Sequence, residues 1–73
     1  MAAYDIKLDN GWIHTVVYAE SESDALARLK GERERMGYKI TNATEIRKMK
    51  ESYGNGGYNL VALEDYHQII QQP

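Results

Sequence analysis

The chain lacks the residues that several kinds of site require. It has no cysteine among its 73 residues, which excludes disulfides and thiolate metal sites and favours a reducing compartment. Its two histidines, His14 and His67, lie far apart in the sequence, and no cluster supplies the three or four ligands of a zinc site. No apolar run approaches the ~18 residues of a membrane span. We therefore expect a cytoplasmic protein without a metal or cofactor, and Met1 suggests a complete small gene product.

Catalytic patterns are also missing. Ser21 and Ser23 stand where helix caps are needed, so they are not read as nucleophiles. The stretch 54–57, Gly-Asn-Gly-Gly, lacks the lysine and the serine or threonine of a phosphate-binding P-loop, and it joins two strand patterns. A domain of this length hardly supplies the cleft that acid–base catalysis needs. We predict that the protein has no catalytic residues and is not an enzyme.

The clearest positive feature is a hairpin at the N-terminal end. The segment from Tyr4 to Leu8 alternates apolar and polar residues, Asn10-Gly11 is typical of a tight turn, and a β-branched, aromatic strand returns to Tyr18. A two-residue turn places Lys7 opposite His14 and Ile6 opposite Thr15. Opposed residues share one face of the sheet, so the turn also fixes which side chains lie together.

A helix follows the hairpin, and a second strand pair follows the helix. Ser21 is the expected N-cap, Gly37 the expected left-handed C-terminal residue, and the helix is predicted over Glu22 to Met36. Its apolar stripe consists of Ala25, Leu26, Leu29 and Met36.

The second strand pair is predicted at 44–49 and 58–63, joined by a loop at 53–58. Residues 66–72 form either a short fifth strand or a last helical turn. The expected fold is a single two-layer α+β domain over residues 1–73, a β-hairpin–helix–β-hairpin with one helix packed on an antiparallel sheet.

One helix covers one face of this sheet and leaves the other in need of a partner. The uncovered face is expected to carry Trp12, His14, Val16 and Tyr18, which we predict as a protein-binding set because aromatic residues dominate binding hot spots. The alternative is that a bulge or the C-terminal segment covers this face. Tyr53, Asn55 and Tyr58 are candidates for a contact loop, since loops carry function disproportionately.

Charge is unevenly distributed along the chain. The segment from Arg28 to Lys50 holds eight basic and three acidic residues, a net charge of +5, whereas the whole chain carries −2. Such a segment is either an ordinary solvated surface or a footprint for nucleic acid. The residues of this possible nucleic-acid site are Arg28, Lys30, Arg33, Arg35, Lys39, Arg47 and Lys48.

The order of elements resembles that of a known group of proteins. A short chain with a hairpin, an alanine-containing helix entered through the segment 18–25, Tyr-Ala-Glu-Ser-Glu-Ser-Asp-Ala, and a second strand pair looks like many small phage-encoded proteins. Among these it is similar in layout to some anti-CRISPR inhibitors, which occupy a surface of a host defence complex. The resemblance implies a non-enzymatic inhibitor in the bacterial cytoplasm and assigns no role to an individual residue.

Two functions remain open from the sequence. The first is a protein-binding inhibitor or accessory factor whose partner is a host complex, with a homodimer as a further possibility. The second is a small nucleic-acid-binding module that uses the basic segment. Neither function requires a membrane.

Overall fold

A computed structural model describes residues 1–8, 14–37 and 43–69. These residues form one helix and one antiparallel sheet, which confirms the predicted α+β class. The predicted turn at Asn10-Gly11, Trp12 and Lys39 lie outside the described residues. The elements in chain order are β1 (Ala2–Leu8), β2 (His14–Ala19), α1 (Glu22–Arg35), β3 (Ala43–Gly54), β4 (Gly57–Ala62) and β5 (His67–Gln68).

The sheet is built around the pair β1 and β3. Its strand order is β2-β1-β3-β4, and the short β5 also pairs with β3. Met49 is paired with both Ala3 and Ala62, and Ile46 with both Ile6 and His67. Strands β4 and β5 therefore follow one another along the edge of β3 that faces away from β1. Of the two readings of the C-terminal segment, the structure shows the short strand.

The register of the first strand pair is the predicted one, with Lys7 opposite His14 and Ile6 opposite Thr15. Alternate residues of each strand point to opposite faces. We call the face that packs against α1 the inner face and the opposite one the outer face. Tyr4, Ile6 and Leu8 are buried on the inner face.

The core lies between this inner face and one stripe of the helix. Ala25 and Leu29 are its buried helical residues, and Ile6 and Ile46 are the largest side chains that are fully buried. Met36 was predicted to belong to the apolar stripe, but it is 60% exposed. The reason is its position as the C-cap, where the chain leaves the helix and no longer follows the stripe.

Local hydrogen bonds explain the bounds of the helix. The Ser21 hydroxyl accepts a bond from the Asp24 backbone N–H at 3.1 Å, and Asp24 Oδ2 accepts one from the Glu20 N–H at 3.1 Å. The first bond satisfies a donor that the first helical turn leaves open, and the second holds the backbone just before the N-cap. At the other end Gly37 takes a positive φ of 79°, which ends the helix as predicted.

The predicted loop at 53–58 is wrong, because strand pairing continues almost to the tip of the second hairpin. Tyr53 lies opposite Tyr58, and Gly54 lies opposite Gly57. Among the described residues only Gly37 and Gly57 have positive φ, so the turn at Asn55-Gly56 is not of type I′. A turn followed by a glycine in this conformation matches the three-residue hairpin loop with a bulge. Tyr53 and Tyr58 are thus strand residues with fixed directions.

Gly57 is the residue on which this turn depends. Its φ of +98° strains any residue with a Cβ, although a Cβ would meet no atom within 4 Å. We expect Gly57→Ala to lower the free energy of unfolding by about 1–2 kcal/mol through the backbone alone. Gly54→Ala is the matched control, since its Cβ is equally unobstructed and its φ is not positive. Chemical denaturation of both variants tests this, and equal stabilities would contradict it.

Candidate protein-binding surface

The outer face of the sheet is partly covered and partly exposed. Its rows follow from the register: Tyr18 beside Ala3, Val16 beside Asp5, and His14 beside Lys7. Val16 and Tyr18 are exposed, and the His14 side chain is 57% exposed. Asp5, in the middle of the same face, is only 2% exposed. The uncovered area is therefore the outer edge of the face along β2.

Asp5 is buried because three side chains converge on its carboxylate. His14 Nδ1 lies 3.0 Å from Oδ1, and the Arg47 guanidinium lies 3.2 Å from Oδ2. The Tyr66 hydroxyl donates a further hydrogen bond to Oδ2. An ionised carboxylate only accepts hydrogen bonds, so His14 carries its hydrogen on Nδ1. The partners come from β2, β3 and the segment before β5, and together they satisfy a charge that burial alone would disfavour.

Tyr66 is the residue that covers the centre of the outer face. Its ring lies 4.1 Å from Lys7 Nζ and 4.2 Å from Arg47 Cζ, both measured to the ring centroid. These are cation–π distances. The two alternatives for the outer face, exposed or covered, thus each apply to a part of it. The C-terminal segment covers Asp5, while His14, Val16 and Tyr18 stay exposed.

The surroundings of Asp5 shift two pKa values in opposite directions. Burial raises the pKa of Asp5, but hydrogen bonds from Tyr66 and His14 and the charges of His14 and Arg47 outweigh burial, and the pKa falls below its ordinary 3.8. Burial and the bond to Asp5 raise the pKa of Tyr66 to about 12. Because the Asp5 pKa is lowered on folding, its stabilising contribution is present above pH 3.8 and is lost as the pH falls through the lower, folded value.

Replacement of the Tyr66 hydroxyl tests this network. We expect Tyr66→Phe to lower the free energy of unfolding at pH 7 by about 1 kcal/mol or more, because a bond to a buried charged group is lost. The difference from wild type should shrink at low pH, once Asp5 is protonated. Denaturation measured between pH 7 and pH 2.5 checks both parts, and a difference that is independent of pH would contradict the account. Tyr53→Phe, at a 73% exposed position, is the control and should have a much smaller effect, because the hydrogen bond that it loses is to the exposed carboxylate of Glu51.

The exposed row on β2 is connected to the second hairpin by a pair of tyrosines. The Tyr18 and Tyr58 hydroxyls are hydrogen-bonded to each other, and Tyr58 Oη also lies 3.4 Å from Glu51 Oε1. The hydrogen bond to Tyr58, burial and the nearby Glu51 carboxylate raise the pKa of Tyr18 above its ordinary value of 10. Strands β1 and β3 lie between β2 and β4, so the β3–β4 hairpin must curl toward the outer face for these hydroxyls to meet.

Tyr53 extends the same surface toward the tip of the hairpin. Its ring centroid lies 5.5 Å from that of Tyr58, with an interplanar angle of 58°, and its hydroxyl donates to Glu51 at 3.2 Å. All three rings lie on the outer face and are exposed. We call Val16, Tyr18, Tyr58 and Tyr53 the tyrosine strip. It unites two members of the predicted protein-binding set, Val16 and Tyr18, with two of the three predicted loop residues, while Asn55 is at the exposed turn.

A shallow groove of about 510 Å³ lies beside this strip, where β1 begins. The groove is lined by Tyr18, which also belongs to the strip, and by Glu51 beside the strip. Met1, Ala3 and Met49 form much of the remaining lining. No sequence pattern predicts the groove or the contact between Tyr18 and Tyr58. Tyr18 lies on β2 and Tyr58 on β4, the first and last strands in the order of the sheet. The alternation within β3 and β4, read through to the turn, is the one signal that would have placed Tyr53 and Tyr58 on the same face.

The possible nucleic-acid set does not form one surface. Arg47 lies on the outer face and is held by Asp5, whereas Lys48 points to the opposite side of β3. On the helix, Arg28 pairs with Asp24 at 3.0 Å and Arg35 with Glu32 at 2.9 Å. Lys30 is exposed and Arg33 half-buried, both on α1. Lys39 lies outside the described residues. Three of the six described members, Arg28, Arg35 and Arg47, are therefore paired with neighbouring carboxylates.

A second group of titratable side chains joins the helix to the C-terminal segment. His67 Nε2 lies 2.8 Å from Glu22 Oε1, and His67 Nδ1 lies 3.6 Å from Glu64 Oε1. Glu64 also accepts the Lys48 backbone N–H at 3.2 Å, in the gap between β4 and β5. One oxygen or nitrogen of each of the three residues lies within 4.8 Å of the others, so they are the group in the described chain that could hold a cation. The two carboxylates lie at different ring nitrogens, so they do not converge on one ligand atom of His67.

Comparison with known proteins gives no relative: no family model, curated protein or solved structure matches this chain. Within the described residues, no helix has the length and apolar character needed to cross a membrane.

Proposed function

We propose that this chain is a non-enzymatic interaction protein that binds another protein through the tyrosine strip. The observation that carries the proposal is the contact between Tyr18 and Tyr58, which joins the exposed row of β2 to the exposed rings of the second hairpin. Tyrosine is enriched at binding hot spots because it combines a large apolar area with a polar tip. Three such rings exposed on one face form an apolar patch, and an exposed apolar patch of this kind marks a binding site.

The strip is also ordered before any partner arrives. The Tyr18 and Tyr58 hydroxyls bond to each other, and both Tyr53 and Tyr58 are within reach of Glu51. Binding costs less when side chains are already held in place, because less rotamer entropy is lost. These hydrogen bonds thus support a role for the strip as a preformed binding surface. Trp12 belongs to the same face by the sequence pattern and remains a predicted member of the interface.

The resemblance in layout suggests the kind of partner. Within the proposal, the two strand pairs of a β-hairpin–helix–β-hairpin each supply part of the strip, and α1 packs behind the part that β2 carries. The expected action is that of small phage-encoded inhibitors of the anti-CRISPR type, which work by occluding a surface of a host defence complex. The place of action would be the cytoplasm of the bacterial host.

Binding to nucleic acid is the competing function, and the geometry favours it less. The basic residues are divided between the two sides of β3 and the helix, and Arg28, Arg35 and Arg47 are engaged by carboxylates. Neutralised side chains contribute little to a phosphate-binding footprint. Lys30 remains as the exposed helical position at which this function can be tested.

Substitution on each surface separates the two functions. We expect Tyr18→Ala to lower partner capture from bacterial lysate at least tenfold while folding is kept, because an exposed ring in the middle of the strip is removed from the contact. Lys30→Glu is the matched control on the helix and should capture the partner as wild type does. Both proteins are compared by circular dichroism and by pull-down with and without nuclease. Capture that depends on Lys30, or that disappears after nuclease treatment, would contradict the proposal in favour of nucleic acid.

A further inference from the structure

Strand β4 is an edge strand without the usual protection. It pairs with β3 on one side, and within the described residues no strand pairs with its other side. Its sequence, Gly57–Ala62, contains neither a charged residue nor a proline. Natural edge strands are generally protected by charges, prolines or bulges, because an open row of backbone groups recruits another strand.

The hairpin that carries this edge stands partly apart from the sheet. The pairing of β1 with β3 ends at Ala3 and Met49, whereas β3 continues with β4 as far as Gly54 and Gly57. The described chain is accordingly elongated, with extents of 43 × 25 × 25 Å. A two-stranded ribbon is marginally stable in water by itself. This ribbon also exposes apolar side chains on both faces, with Tyr58 on the outer face and Val61 on the other.

We propose that β4 pairs with β4 of a second copy of this chain, antiparallel, and extends the two sheets into one. The backbone direction of β4 sets the register. The Leu63 N–H donates to the Lys48 carbonyl at 3.0 Å, so Leu63 and every second residue before it face β3. Tyr58, Leu60 and Ala62 therefore turn their N–H and C=O groups to the free edge. A two-fold axis through Leu60 lets all of these groups pair.

The side chains are complementary in this register. Tyr58 lies opposite the small Ala62 of the second copy, and Leu60 lies opposite its own equivalent. On the other face Val61 lies opposite Asn59 of the second copy. No pair brings like charges together, which would destabilise cross-strand neighbours. At each outer pair a large residue lies beside a small one, which allows the two strands to approach closely.

The other edge of the sheet is less suited to the same pairing. The helix packs over β2, so a second copy approaching that edge would bring two charged helices together. Beyond β4 no helix stands in the way within the described residues, since β3 is the element with which β4 makes its main contacts. The second copy therefore fits the β4 edge. The resulting interface is isologous, and its symmetry closes the assembly at a dimer.

The dimer would place both tyrosine strips on the same face of one continuous sheet. The two-fold axis runs perpendicular to the sheet, so the outer faces of the two copies stay on the same side. This inference does not rest on the proposed function: the dimer forms or fails to form whatever the strip binds. A single strand pair is a small contact, so we expect a dissociation constant on the order of micromolar.

Sedimentation of the full chain over a range of micromolar concentrations tests the inference. Wild type should sediment as a dimer at the upper concentrations and dissociate on dilution. Leu60→Lys places two like charges at the axis and should raise the dissociation constant at least tenfold. Val16→Lys, at the centre of the β2 edge, is the matched control and should leave dimerisation unchanged. Mixing Leu60→Lys with Leu60→Glu should restore the dimer as a mixed pair.

The absence of cysteine from the chain allows a second, direct test. Paired residues of this kind have Cα atoms about 5.5 Å apart, within the range that a disulfide spans. Leu60→Cys should therefore form a covalent dimer on mild oxidation, whereas Val61→Cys, displaced from the axis, should not. A wild-type monomer at all concentrations, a dimer that Val16→Lys disrupts and Leu60→Lys does not, or equal crosslinking of the two cysteine variants would each overturn the inference.

Discussion

The carboxylate of Asp5 is the constraint around which this sheet is organised. It lies in the middle of the central strand β1 and is almost fully buried. A buried charge is tolerated only where hydrogen bonds and opposite charges replace water. Those replacements come from β2, from β3 and from the segment before β5. A single side chain thus links three parts of the chain.

This constraint also determines what remains accessible on the outer face. Tyr66 must lie over the sheet for its hydroxyl to reach Asp5, and its ring then contacts the cations of Lys7 and Arg47. The centre of the outer face is thus occupied by interactions that stabilise the fold. The margin, from β2 to the second hairpin, is left for the tyrosine strip. Structure and proposed binding therefore share one face of the sheet without competing for the same residues.

The second hairpin has two distinct sides of interest. Its outer face carries rings that are held by hydrogen bonds to Tyr18 and Glu51. Its free edge presents backbone groups with no charged side chain beside them. A partner bound to the rings and a second copy paired at the edge would approach from different directions. Both would stabilise a ribbon that has little support from the rest of the sheet.

The sequence by itself determined the α+β class, the register of the first strand pair and the bounds of the helix, because these depend on alternation, spacing and capping between near neighbours. The local pattern did not predict the full length of β3 and β4, because Gly54 and Gly57 are typical of a loop but belong to the paired strands. It also placed Met36 in the core, where periodicity continued past the end of the helix. The choice between an open and a covered outer face was decided only by the tertiary structure. Tyr66 meets Asp5 across 61 positions of sequence and Tyr58 meets Tyr18 across 40, and contacts at such separations depend on how the sheet closes, which no local pattern specifies.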